Sequence, residues 1–133
     1  YLMKNFTLPI NFLYYYFDAR VIGRIDQLWQ FWFKTDYEPV SIKREDIEKY
    51  IVNMELLVES DEDYHAKKIA KIVWERNFGK VELIVIDQYE TSITTGFHTI
   101  GAYEYLNITD IPVQSVDYDQ INVEYLKYLS ESE

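Results

Sequence analysis

The chain has 133 residues, of which 48% are apolar, and this composition predicts one folded domain spanning residues 1–133. It contains no cysteine, so disulfides, thiol catalysis and cysteine-ligated zinc are excluded. The formal net charge of −10 argues against direct binding of nucleic acid, because phosphate contacts need lysine and arginine.

Most of the negative charge lies in the C-terminal part. Residues 1–80 carry 12 basic and 13 acidic side chains, a balance of −1, whereas residues 81–133 carry 1 and 10, a balance of −9. An acidic surface speeds the encounter with a basic partner and disfavours other partners. The alternative is that this charge only keeps a tyrosine-rich surface in solution.

Residues 9–34 hold most of the N-terminal apolar side chains. Apolar residues recur there at steps of three and four, which predicts one long aromatic helix with Thr7 and Pro9 as start signals. Further aromatic residues occupy its opposite face, so the helix is either central in the fold or the interface of a homodimer. The residues at helical spacing are Ile10, Leu13, Tyr14, Phe17, Val21, Ile25, Leu28, Trp29 and Trp32.

The same stretch is not expected to enter a membrane. Asp18, Arg20, Arg24 and Asp26 interrupt it. The longest apolar run, residues 12–17, is far shorter than the ~20 residues that a membrane span requires. No secretory signal is recognisable either, so we expect a cytoplasmic protein without a membrane partner.

Two amphipathic helices are predicted after a loop at residues 35–40. The first begins at Ser41 and runs over residues 41–58, with apolar side chains on one face. The second runs over residues 60–78 with Ser60 as its cap, and it starts with three acidic residues that suit the helix dipole.

After Gly79 the pattern changes to β-branched and aromatic runs. Residues 81–86, 92–100 and 102–108 predict strands of an antiparallel meander. Residues 111–116 predict a short edge piece because Pro112 interrupts it, and residues 121–129 favour a final helix over a strand. The predicted fold is α+β, with an N-terminal three-helix segment that includes the long aromatic helix, packed on a C-terminal antiparallel β-meander.

The two histidines are the candidate acid–base groups. His98 would act with Asp87 or Glu90 if a hairpin brought them together, and His65 lies near the acidic start of the third helix. No nucleophile or second base is marked by spacing. The sequence therefore predicts a protein that is not an enzyme and that has no cofactor.

The acidic clusters are also weak as metal sites. Asp61, Glu62 and Asp63 are consecutive, so on a helix their side chains point in different directions and capping explains them better. Asp117 and Asp119 begin like a calcium loop, but Asn122 stands where the required glycine would be. We therefore expect no bound metal ion.

The predicted function is a small acidic protein-interaction module. Its Tyr-, Asp- and Glu-rich C-terminal half would dock on a basic protein such as a nuclease or a nucleic-acid-binding protein, as an inhibitor, immunity-type protein or nucleic-acid mimic. The predicted partner-binding residues are Tyr89, Glu90, Glu104, Tyr105, Asp117, Tyr118 and Asp119.

Two other classes fit the sequence. One is a ligand-binding or enzymatic α+β cone with an aromatic-lined pocket. The other is a winged-helix-like transcription regulator, with residues 41–58 and 60–78 as the helical pair and residues 81–100 as the wing. The acidic charge counts against the regulator, because a DNA reader needs a basic recognition face.

Overall fold

The computed structural model describes residues 3–17, 21–24, 29–34, 39–81, 83–86 and 96–131, and its class is α+β, as predicted. The helices and strands alternate along the chain instead of falling into two blocks. In order, the described elements are β1 (Lys4–Pro9), α1 (Ile10–Tyr16), β2 (Val21–Arg24), β3 (Gln30–Lys34), β4 (Pro39–Lys43), α2 (Arg44–Val52), α3 (Asp61–Arg76), β5 (Ile84–Ile86), α4 (Phe97–Tyr105), β6 (Asp110–Ser115) and α5 (Tyr118–Glu131).

Sheet A contains the first strand of the described chain and its last two strands. Its central strand β6 pairs antiparallel with β1, where Phe6 lies opposite Val113, and parallel with β5, where Ile86 lies opposite Ser115. The buried hydroxyl of Ser115 donates to the carbonyl oxygen of Ile86 at 2.9 Å and accepts from the amide of Asp117 at 3.0 Å. This one side chain links β5, β6 and the start of α5.

Sheet B is an antiparallel meander of β2, β3 and β4. Phe31 and Phe33 of β3 are buried, whereas Trp32 between them is only partly buried. Phe31 lies opposite the buried Ile42, and Phe33 lies opposite the buried Val40. The two-residue period of these strands therefore turns one face of sheet B to the core.

The predicted long helix over residues 9–34 is wrong. α1 ends at Tyr16, and the stretch continues as β2 and β3. Gly23 and Trp29 have φ angles of 82° and 56°, which the interior of a right-handed helix does not contain. The error arose because apolar residues make up most of this stretch, so they fit helical spacing as well as strand alternation.

The two following helices were predicted more accurately. The first begins at Arg44 and not at Ser41, because Ser41 belongs to β4 and lies opposite Trp32. It ends at Val52 and not at residue 58. The start of α3 is confirmed: the hydroxyl of Ser60 accepts a hydrogen bond from the amide of Asp63 at 3.1 Å. A loop was predicted at residues 35–40. Residues 35–38 lie outside the described residues, and residues 39 and 40 belong to β4.

The predicted C-terminal meander is also wrong, and the meander of this fold lies in sheet B instead. The predicted strand at residues 81–86 is reduced to β5 (Ile84–Ile86), and residues 97–105, assigned to two strands, form helix α4. The five buried residues of α4 are consecutive, from Thr99 to Tyr103. A helix buried on several sides has the continuous apolar pattern of a buried strand. The wing of the winged-helix alternative would need strands where α4 begins.

Residues 111–116, predicted as an edge piece, belong mostly to the central strand β6 (Asp110–Ser115). Pro112 is tolerated because it lies opposite Thr7 of β1, whereas the pairing with β5 begins only at Val113. Its missing N–H therefore removes no hydrogen bond to β5. The final helix is confirmed as α5.

Helix α3 occupies the centre of the fold and contacts α2, α4 and β4. Its approach to α4 is very close, because a Cβ at Gly101 would lie 2.8 Å from Cδ1 of Ile69 and 3.2 Å from Cδ1 of Phe31. The buried side chains of α3 are Asp63, Ala66, Ile69, Ala70 and Val73.

The aromatic surface predicted to form a homodimer is largely inside this core. Phe12, Phe17, Phe31 and Phe33 are all buried, and Tyr15 at 43% exposure is the main exception among the described residues of that stretch. The homodimer stays a prediction, but its proposed surface is lost. No helix in the described ranges combines the length and the apolar character needed to cross a bilayer.

Candidate functional site

Ion pairs are distributed unevenly in the fold. The described ion pairs all join side chains of residues 44–80, for example Lys49 with Asp63 at 3.0 Å. The six carboxylates of residues 96–131 take part in none of these pairs, and Lys127 is the one basic residue in that range. Among the described residues, no ion pair therefore neutralises these carboxylates. The six are Glu104, Asp110, Asp117, Asp119, Glu124 and Glu131.

Helix α5 is apolar on two opposite sides. On one side Ile121 is buried, and the rings of Tyr125 and Tyr128 lie 5.1 and 5.4 Å from the ring of Phe12. On the other side two neighbouring side chains face solvent, because Val123 is 59% exposed and Leu126 is 58% exposed. Residues three apart on a helix adjoin each other, so these two form one apolar patch.

Acidic side chains lie on one flank of this patch, and the exposed Lys127 adjoins Val123 one turn further along α5. Asp119 is exposed in the first turn of α5, where the helix dipole stabilises its charge. Burial raises the pKa of Tyr16, and the charges of Glu124 and Asp117 raise it further. We call the set Asp117, Asp119, Val123, Glu124 and Leu126 the α5 surface.

The structure divides the predicted partner-binding residues between two places. Asp117, Tyr118 and Asp119 lie together at the start of α5, with the ring of Tyr118 between Phe6 and Lys4. Glu104 and Tyr105 lie at the end of α4 instead. Tyr89 and Glu90 fall outside the described residues.

Tyr105 is engaged within the molecule. The guanidinium of Arg44 lies 4.3 Å from the centre of its ring, and the ring of Trp29 meets it edge-on at 5.9 Å. Arg44 also donates to the carbonyl oxygen of Tyr105 at 3.4 Å and pairs with Glu48 at 3.3 Å. Burial first, and then the charge of Glu48, raise the pKa of Tyr105. These contacts fasten α4 to α2, and the predicted partner contact of Tyr105 stays a prediction.

The two histidines form a hydrogen-bonded pair between α3 and α4. Nδ1 of His65 and Nε2 of His98 are 2.7 Å apart, and the two ring planes differ by 18°. Phe33 packs near-perpendicular to both rings, at 4.8 Å from His65 and 5.6 Å from His98. Burial lowers the pKa of both histidines, and it lowers that of His98 to about 4. At neutral pH both rings are uncharged, so one nitrogen donates and the other accepts.

The outer nitrogen of His65 faces a carboxylate. Nε2 of His65 is 3.6 Å from Oδ1 of Asp61, four residues earlier on α3. Asp63, another acid at the start of α3, forms an ion pair with Lys49 through its carboxylate. The backbone amide of Asp63 donates to the hydroxyl of Ser60. Among the described residues, no three histidine or carboxylate side chains converge as ligands of one metal ion. Asp87 and Glu90, the predicted partners of His98, are not among them.

An open groove of about 390 Å³ lies between α2 and the start of α3. Lys49, Leu56, Leu57, Glu59 and Asp63 line it, and none of these side chains is aromatic. This groove therefore lacks the aromatic lining that the α+β cone hypothesis requires.

Three residues of the α5 surface escaped the sequence analysis, namely Val123, Glu124 and Leu126. The signal was present, because Ile121 and Tyr125 lie on one side of a helix and Val123 and Leu126 on the other. The histidine pair was also missed, since 33 residues separate its members and the second was assigned to a strand.

The chain was compared with known proteins at the level of family, sequence and structure. It matches no family model, no curated protein and no solved structure.

Proposed function

We propose that the chain is a protein-interaction module that binds a basic partner through the α5 surface. One observation carries the proposal: Val123 and Leu126 are exposed side by side on a helix whose neighbouring carboxylates make no described ion pair. An apolar centre surrounded by polar and charged groups is the usual anatomy of a protein interface.

The two parts of the α5 surface have different roles in this proposal. Burial of Val123 and Leu126 against a partner removes apolar area from water, which contributes about 25 cal/mol per Å². Asp119 and Glu124 attract lysine and arginine side chains, which speeds encounter and selects against acidic partners. Binding is therefore expected to weaken as salt screens the charges.

The class of partner follows from the same chemistry. A surface rich in carboxylates competes with phosphate groups for lysine and arginine side chains. Nucleases and other nucleic-acid-binding proteins carry such basic surfaces. An inhibitor, immunity-type protein or nucleic-acid mimic is thus the form of interaction module that the α5 surface supports best.

A site-specific cross-linking experiment tests the proposal. A photoreactive amino acid is placed at Val123 in one protein and at Lys71 in a second, because Lys71 is exposed on α3 and outside the α5 surface. Both are incubated with extract of the source cells at low and high salt. We expect a basic protein to be cross-linked from position 123, less at high salt, and not from position 71.

Charge reversal provides the matched control. Asp119→Lys with Glu124→Lys changes the net charge by the same amount as Glu55→Lys with Glu59→Lys, two exposed acids between α2 and α3. We expect only the first pair to prevent cross-linking. Equal loss with both pairs would show that only total charge matters, and no loss with either would refute the α5 surface.

A further inference from the structure

We propose that His65 and His98 form a binding site for a divalent transition-metal ion such as Zn²⁺, Ni²⁺ or Cu²⁺. Nδ1 of His65 and Nε2 of His98 are the two protein ligands, and solvent or a small ligand completes the coordination. The site lies between α3 and α4, and the inference does not depend on the interaction proposed for α5.

The two rings are held in place for this role. His65 and His98 come from different helices whose close approach is fixed at Gly101, and Phe33 packs against both rings. Their nitrogens are 2.7 Å apart. Two ligands at 2.0–2.1 Å from a tetrahedral ion are about 3.3 Å apart, so binding has to open the pair by about 0.6 Å and turn both rings until their lone pairs converge on the ion.

The protonation state of the pair suits metal binding, because imidazole binds a metal ion in its neutral form. Asp61 near Nε2 of His65 favours a hydrogen on that nitrogen, which leaves the lone pair on Nδ1. His98 then holds the shared hydrogen on Nε2. When the ion enters, this hydrogen moves to Nδ1 of His98, so both rings stay neutral and no proton is lost.

The surrounding charges favour a cation at His65 but not at His98, on which no carboxylate acts. Asp61 and Glu62 act on His65 as negative charges, and Lys68 acts on both histidines as a positive charge. The three side chains sum to −1. A carboxylate beside the outer nitrogen of a metal-binding histidine is a common supporting contact, and it orients the ring. Imidazole selects zinc, copper and nickel over magnesium and calcium, which prefer oxygen.

The composition of the chain makes the test clean. There are 2 histidines and 0 cysteines, so a metal ion bound by imidazole must use His65, His98 or both, provided that the protein carries no histidine tag. Untagged full-length protein is treated with chelator and titrated with Zn²⁺, and the ring nitrogens are followed by NMR. We expect Nδ1 of His65 and Nε2 of His98 to shift together at one ion per chain.

Variants and other ions complete the test. His98→Gln is expected to abolish the nitrogen-bound signal, and Asp61→Asn is expected to weaken Zn²⁺ binding about tenfold. Mg²⁺ is the control, because it binds surface carboxylates without shifting the rings. Zn²⁺ that leaves both ring nitrogens unshifted, or that binds equally well to a folded His98→Gln protein, would overturn the proposal. The NMR titration of the unmodified protein decides the question even if a variant fails to fold.

Discussion

Gly101 of α4 faces Ile69 of α3 at a distance that leaves no room for a side chain. A Cβ at Gly101 would lie 2.8 Å from Cδ1 of Ile69, and Ile69 itself is fully buried. The contact sets the spacing of the two helices, and with it the distance between His65 and His98. It also gives the first prediction.

Gly101→Ala is expected to lower the free energy of unfolding. Overpacking a core costs about 1–3 kcal/mol, which exceeds the gain of about 1 kcal/mol in helix propensity. Urea denaturation followed by circular dichroism measures the difference. Ile69→Val removes the Cδ1 atom, so the alanine should cost less in that background; equal costs in both backgrounds would contradict the contact.

Tyr14→Phe is expected to leave stability unchanged or raised at neutral pH. The hydroxyl of Tyr14 is buried and has no hydrogen-bond partner of suitable geometry in the described part of the chain, although Glu104 lies near enough to raise its pKa. The matched control is Tyr50→Phe, because the hydroxyl of Tyr50 donates to the carbonyl oxygen of Leu57 at 3.0 Å. Losing that bond should cost about 1 kcal/mol. Urea denaturation at pH 7 compares the two variants, and an equal loss in both would show that Tyr14 does have a partner.

The same tyrosine predicts a loss of stability in alkali. Burial first, and then Glu104, raise the pKa of Tyr14 above its ordinary value of 10.0. Above that pH the unfolded chain loses the proton while the folded protein retains it, so stability present below pH 10 falls as the pH rises. Denaturation measured from pH 8 to 11 should show a smaller fall in Tyr14→Phe. If the free energy of unfolding falls equally in Tyr14→Phe and in the unmodified protein, other groups cause the loss of stability in alkali.

Ser115→Ala is expected to destabilise sheet A. Its hydroxyl makes two hydrogen bonds in a buried position, and an unsatisfied buried group costs about 1–3 kcal/mol. Ser41→Ala is the control, since the hydroxyl of Ser41 is also buried but has no hydrogen-bond partner among the described residues. Thermal denaturation should separate the two variants, and the reverse order of melting temperatures would contradict the hydrogen-bond assignment.

Truncations on the two sides of α5 should separate stability from binding. Ile121→Ala is expected to cost about 2–5 kcal/mol, because it leaves a cavity in the core. Val123→Ala with Leu126→Ala should change the free energy of unfolding by less than about 0.5 kcal/mol and still weaken partner capture. Calorimetry and the cross-linking assay give the two readouts. A double variant that unfolds would place these side chains in the core.

The parts of the fold that the sequence predicted correctly are those with strong local signals. α3 has a serine cap followed by acidic residues, and α5 has apolar residues at helical spacing. The aromatic stretch at residues 9–34 lacks such a signal. Its division into α1, β2 and β3 depends on the positive φ angles at Gly23 and Trp29 and on pairing with β4, and neither is visible in a single stretch of sequence.

The candidate site was predicted in part, for a similar reason. Asp117, Tyr118 and Asp119 adjoin each other in sequence, so they lie together in the fold. Glu104 and Tyr105 were grouped with them by composition alone. Arg44, 61 residues earlier in the chain, reaches Tyr105 instead. Only tertiary contacts show that Asp117–Asp119 and Glu104–Tyr105 lie in different places. The contact between His65 and His98 is likewise visible only in the folded structure.

The pairing of β1 with β6 has a consequence for synthesis. β1 is the first element of the described chain to leave the ribosome, yet its partner begins at Asp110. Sheet B and the α2–α3 pair join neighbours in sequence, so they are able to form while translation continues. Until residue 115 emerges, β1 exposes unpaired backbone groups, and an unpaired strand is a template for aggregation. Ribosomes stalled before β6 should therefore carry a nascent chain that protease cleaves readily within β1.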